Sequence, residues 1–131
     1  MADVEVRQVS RDDAAATMRA AGLSAPVDCH TPEGIAAHGE CFELRTGTGS
    51  AVFVLRREAG VLWIDGAGAR AHGSGLTAAG LALFEQIAIQ CGCTQIAFET
   101  NRPGLVRAAG RAGYTVAGWT MKRRVGDGPA T

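Results

Sequence analysis

The run Arg70-Ala71-His72-Gly73-Ser74-Gly75 concentrates the residues best suited to holding an anion. Glycines at 73 and 75 let the main chain approach a ligand without Cβ interference and adopt positive φ. Successive N–H groups in such a turn converge on an oxyanion, and a helix starting at Gly75 adds its positive end. Arg70 supplies a mobile cation, and His72 a group that titrates near neutrality or simply sits on a surface loop. A diphosphate would meet several charge-assisted donors here at once. Rival phosphate patterns fail: the glycines from Gly66 to Gly80 never form Gly-x-Gly-x-x-Gly, and no Gly-Lys-Ser or Gly-Lys-Thr occurs.

Three carboxylates could act as bases. Asp65 follows the apolar run Val61–Ile64, Glu99 interrupts an apolar strand, and Glu43 lies farther off. Partial desolvation would raise a carboxyl pKa toward the working range of a general base, while a strand-end carboxylate facing water is the plain alternative. His30 and His38 have no defensible nucleophile beside them, and Cys29-His30 adjacency does not make a dyad. Cys29, Cys41, Cys91 and Cys93 are spaced too irregularly for a disulfide framework or a zinc site, so they read as free thiols and no metal is expected. Trp63 and Trp119 fall in strand-like runs and read as core.

The elements that must position these groups follow from periodicity. Val4, Val6 and Val9 suggest a first strand; Asp12 and Asp13 then open an alanine-rich helix over Ala14–Ala21, closed by Gly22. Ser24 to Gly39 is the least regular stretch, with room for a short helix capped by Thr31 and started by Pro32 and Glu33. Glu40–Arg45, Ala51–Arg57 and Val61–Asp65 read as a three-strand meander joined by tight turns. Leu76, Gly80, Leu83, Phe84, Ile87 and Cys91 recur at helical spacing from Gly75 to Cys91. Thr94–Thr100 follows as a strand, Gly104–Ala112 as a helix opened by Asn101 and Pro103, and Tyr114 to about Arg124 as a last strand.

Bulk properties fit one soluble domain over residues 1–125 with a frayed tail at 126–131. A chain of 131 residues can bury one continuous core, and 47% hydrophobic with 20% charged residues excludes a disordered class. Thirteen basic residues balance thirteen acidic ones, so no global field favours nucleic acid or an anionic membrane. No apolar run reaches the roughly 18 residues of a membrane span, and the first ten residues lack a secretory layout, so a cytoplasmic location is expected.

Arg70, Gly73 and Gly75 match the pattern Arg or Gln, two residues, Gly, one residue, Gly or Ala, and the segment resembles the acyl-CoA loop of the GNAT acyltransferase superfamily. The flanks are similar too: strand Ile96–Glu99, helix Pro103–Ala112, the Gly113-Tyr114 pair and the strand from Thr115 to Lys122. The resemblance implies an α/β (α+β) fold with a mixed, mostly antiparallel sheet of about six strands, flanked by helices and splayed between the fourth and fifth. It implies an N-acyltransferase using acetyl-CoA or another acyl-CoA, without metal. The residues along that co-substrate would be Ile64, Gly66, Ala67, Gly68, Arg70, Ala71, His72, Gly73, Ser74, Gly75, Leu76 and Asn101, with Asp65 and Glu99 as candidate bases. The amine acceptor, unidentified, would be read by Ala21 to Glu40, and a homodimer through edge strands or the last strand is among the implied states. Where many such enzymes carry a tyrosine acid, this chain has Ala109. A non-catalytic acyl-CoA-binding or protein-interaction module is therefore the alternative.

Overall fold

Local signals set the helix ends. The computed structural model describes residues 4–22, 31–71, 73 and 75–126. Helix α1, Arg11–Ala21, starts where the Asp13 N–H donates to Ser10 Oγ and stops at Gly22 with φ 73°. Helix α2, Pro32–Ala37, is capped by Thr31, whose Oγ1 accepts from the Gly34 N–H, with Pro32 in its first turn. Helix α3, Leu76–Gln90, follows Gly75 at φ 78°, and helix α4, Pro103–Arg111, ends before Gly113 at φ 96°.

Five strands form one sheet in chain order: β1 Glu5–Gln8, β2 Glu40–Arg45, β3 Ser50–Glu58, β4 Val61–Ala71 and β5 Gln95–Phe98. All neighbours are antiparallel except β4 and β5, which run parallel. The meander expected from the turn residues is present. The β3–β4 hairpin closes through Ala59 and Gly60, both at positive φ, the mirror-image turn that suits strand twist.

The two faces of the sheet hold separate cores. Alternation sends Cys41, Val52 and Val54 under α1 and α2, against Ala14, Met18, Ile35 and Ala36. Leu44, Phe53, Leu55, Leu62 and Ile64 go to the other face, under Leu81, Phe84 and Ala88 of α3. Each such side chain is worth about 1.5–3 kcal/mol when fully buried.

Two expectations need correction. β4 runs on through Ala71, well beyond Asp65, so Arg70 and Ala71 are strand residues and the turn into α3 begins later. Residues Tyr114 to Arg124 form no strand and join no ladder among the described residues. Their sequence favours an extended chain, but an extended chain becomes a strand only when a ladder partner satisfies it. Trp119 and Met121 in this segment are each 90% exposed, so Trp119 is not core. The irregular stretch is only partly visible: α2 is as expected, while Leu23 to His30 lie outside the described residues.

Candidate active site

The site grows from the change of partner along β4. β5 pairs with β4 only from Val61–Gln95 to Ile64–Phe98. Beyond Ile64, β4 continues for seven residues whose β5-side edge meets no strand among the described residues. Main-chain N–H and C=O groups on such an edge need another partner. The two parallel strands part here, and a cleft of about 680 Å³ opens between them, walled by β4 residues 63–69, one side of α3 from Leu76 to Phe84, and residues Phe98 to Thr100, Arg102 and Leu105.

Small residues let helices pack against this part of β4. A Cβ at Gly66 would stand 2.8 Å from Ile35 Cγ2 and 2.9 Å from Met18 Sδ. One at Gly68 would stand 3.0 Å from Met18 Cα and 3.2 Å from Ala21 Cβ. These glycines are fixed by α1 and α2 resting on the strand from behind, which leaves the strand edge for the cleft.

At the end of β4 the chain turns into α3. Gly75 is the N-cap, no side chain caps the helix, and its first turn has no acidic residue. The Leu76 N–H donates to the Gly73 carbonyl at 3.3 Å, while the positive end of this fifteen-residue helix is opposed by no side-chain cap and no first-turn carboxylate among the described residues, which suits an anion. The two motif glycines have different reasons. At Gly75 the φ of 78° is left-handed and a Cβ would meet nothing within 4 Å, so the space beside it is open. At Gly73 a Cβ would collide with Thr48 Oγ1 at 2.5 Å and Gly49 N at 2.6 Å, so that glycine fits the turn against the β2–β3 loop.

The predicted ligand residues separate into groups. Ile64, Gly66, Ala67, Gly68 and Leu76 line the cleft together with Asp65 and Glu99. Asn101 is exposed between Thr100 and Arg102, which line it. Ala71 closes β4, while His72 and Ser74 lie outside the described residues. Arg70 departs from expectation. Its guanidinium is not a mobile charge over the turn: Nη2 donates to Thr17 Oγ1 at 2.8 Å and Nη1 lies 3.5 Å from Glu43 Oε2, on the α1 side of the sheet.

The carboxylates separate as well. Both Asp65 oxygens accept from Arg56, Nε to Oδ2 at 2.9 Å and Nη2 to Oδ1 at 3.3 Å, and Arg56 also pairs with Glu58 and lies over Trp63 at 5.7 Å. Glu43 is 1% exposed, and its Oε1 accepts from Arg7 Nε at 3.0 Å and Arg45 Nε at 2.6 Å. Burial acts to raise its carboxyl, but the hydrogen bonds and attraction of Arg7 and Arg45 outweigh this and hold it below the ordinary value. Glu43 is thus an ionised anchor remote from the cleft. Glu99 is exposed just past the end of β5 and lines the cleft, with no ion pair among the described residues.

A second, larger groove of about 1060 Å³ follows the other side of α3, between it, β5 and residues 111–117. It borders Gly73, Gly75 and Tyr114 but neither Asp65 nor Glu99, whereas the smaller cleft is lined by both carboxylates and by neither motif glycine. Tyr114 packs on Phe98 with ring centroids 5.4 Å apart, and its buried Oη has no partner among the described residues. Burial, and then the charge of Glu85, pushes its phenol up. Ala109 is 4% exposed and fills the position where a tyrosine acid was absent from the sequence. Sequence reasoning missed Arg102, Leu105 and the wall of α3, because residues whose only signal is helical periodicity do not announce which cavity they border.

The sequence matches no family model and no curated protein. Solved structures do match its fold. An aminoglycoside N-acetyltransferase AAC(6')-Iy in complex with CoA shares 14% identity over 97% of each chain, with a TM-score of 0.58. A ribosomal-protein-alanine N-acetyltransferase from Brucella melitensis biovar Abortus 2308 shares 14% identity over 93% of this chain and 99% of that one, at 0.57. A transcriptional regulator from Bacillus halodurans C-125 shares 15% over 93% and 99%, at 0.61. The chain has the GNAT fold, with its parallel β4–β5 pair and flanking helices.

Proposed function

We propose that this protein is an acyl-CoA-dependent N-acyltransferase that moves an acetyl group to an amine of a small molecule or protein. The observation that carries the reading is the open edge of β4 from Asp65 onward, leading to the uncapped N-terminus of α3 at Gly75. The edge can hydrogen-bond the amide groups of an extended pantetheine arm as a missing strand would, and the helix end suits its pyrophosphate. Bound acetyl-CoA supplies a thioester carbonyl that an amine nitrogen attacks, the C–S bond breaking to release a thiolate.

The residues of the chain have distinct tasks in this scheme. Main-chain N–H groups of β4 near Asp65 orient and polarise the carbonyl. Glu99 is the base that takes the amine proton, directly or through one water, because Asp65 has both oxygens committed to Arg56. No side chain replaces the absent acid: Ala109 is packed and Tyr114 borders the other groove. A thiolate whose thiol has a pKa of about 8.5 can leave without one. Positioning supplies most of the rate.

The same lack of an acid favours a second reading, a module that binds acyl-CoA without turnover, and one neighbour of this fold is named a transcriptional regulator. Thermal-shift titration with acetyl-CoA, paired with a CoA-release assay over an amine panel, separates the two. Stabilisation with release supports the enzyme, stabilisation with no release on any amine supports the binding module, and no stabilisation removes both. Exposed apolar side chains in the last segment also support a homodimer: Trp119, Met121 and Val125 are each at least 90% exposed, and the β5 edge of the sheet is free among the described residues. A monomer at every concentration in light scattering would remove that part.

A further inference from the structure

Strand β4 carries an extra residue at two places. Leu55 and Val54 face Ile64 and Gly66, leaving Asp65 over; Ala51 and Ser50 face Ala69 and Ala71, leaving Arg70 over. Bulges of this kind re-aim a strand and interrupt its ladder. Both extra residues are charged, and both are tied to other elements. Asp65 is gripped by the Arg56 fork from β3, itself steadied by Trp63 and Glu58. Arg70 reaches Thr17 on α1 and Glu43 on β2, and Glu43 is fixed in turn by Arg7 and Arg45.

Between the two bulges lie only Gly66, Ala67, Gly68 and Ala69. Such a run has much backbone freedom and little side chain to restrain it. It is also the part of β4 that β5 leaves unpaired. Residues 63–69 border the cleft and Arg70 does not.

We propose that Arg56 and Arg70 are positioning residues whose ion pairs pin the two bulges of β4, holding the main-chain edge between them in one shape for acyl-CoA. Arg70 then acts on the ligand through the backbone and not through its guanidinium. Fixing the edge in advance lowers the ordering cost of binding. The inference rests on the reading of the cleft as an acyl-CoA site.

Calorimetric titration of the full chain with acetyl-CoA, together with amide hydrogen exchange of the free protein, tests it. Arg70→Ala and Glu43→Gln should each weaken binding about fivefold, the size of one net hydrogen bond. The double variant should be no weaker than Arg70→Ala alone, because both changes remove one shared interaction. Exchange should quicken at residues 65–71 in both, and around Asp65 in Arg56→Ala. If Arg70→Ala weakens binding while Glu43→Gln leaves it unchanged or tightens it, the guanidinium serves the phosphate and the proposal is overturned. Thr17→Val, which keeps every charge and removes one Arg70 hydrogen bond, carries the same expectation should Glu43→Gln not fold; unchanged affinity and exchange there also overturn it. If the unmodified protein binds no acetyl-CoA, the reading of the cleft fails, and exchange alone decides the pins: faster at 65–71 in Thr17→Val upholds them, unchanged rates remove them.

Discussion

The two halves of β4 solve different problems with one strand. From Val61 to Ile64 it has partners on both edges, and its side chains are large: Leu62 and Ile64 are buried under α3 while Trp63 meets Arg56. From Asp65 to Ala71 it has β3 on one edge only, two bulges, and no apolar side chain larger than a methyl. In the first half bulk fills a core; in the second, lack of bulk lets α1 and α2 support the main chain while the free edge faces the cleft. The change from Val-Leu-Trp-Ile to Asp-Gly-Ala-Gly-Ala thus marks the point where the strand stops filling a core and leaves one edge open to the cleft.

Substitutions on either side of Asp65 test that contrast most strongly. Gly68→Val puts atoms against the α1 main chain at Met18 and should cost about 3 kcal/mol or more, read from chemical denaturation. Val61→Ala, in the paired half and only half-buried, should cost about 1 kcal/mol; equal losses would erase the distinction. Next in size is the chemistry of the open half. Glu99→Gln should lower kcat of acetyl transfer about 100-fold with little change in the KM for acetyl-CoA, whereas Asp65→Asn should lower it less than about 10-fold. The reverse ranking would return the base to the bulge.

Glu43, below the second bulge, gives a pH signature. Its pKa in the folded protein lies below the ordinary 4.5, so its contribution is complete above that range and is lost as pH falls through the folded value. Glu43→Gln should cost about 1–2 kcal/mol at pH 7 and flatten the loss of stability between roughly pH 5 and 3, measured as melting temperature against pH. A parallel acid profile would mean that another carboxylate dominates. The smallest effect belongs to the hairpin that starts β4: Ala59 sits at φ 51°, and Ala59→Asn should gain up to about 1 kcal/mol in stability without touching acetyl-CoA affinity.

Much of the fold was legible because its signals are local. Thr31, Gly22 and Gly75 mark helix ends through hydrogen bonds and φ angles that depend on a few neighbours, and the paired strands show the alternation of a meander. The glycine turn before α3 was legible for the same reason, although Gly73 fits against the adjoining loop. Less legible were the role of Arg70 and the fate of the last segment. Arg70 could have turned either way at the end of a strand; its direction was decided by Thr17, 53 positions earlier, and by Glu43. Tyr114 to Arg124 has the residues of a strand but no ladder among the described residues, and strand propensity cannot supply one.

The sequence by itself determined the order of elements from β1 to α4, the glycine turn before the longest helix and the absence of a tyrosine at Ala109, since each is a property of neighbouring residues. Only the tertiary structure decided which carboxylate is committed, which arginine is anchored, and that β5 leaves β4 after Ile64. Those outcomes depend on bulges, shared ion pairs and the packing of α1 across the sheet, which join residues far apart in the chain and have no local code.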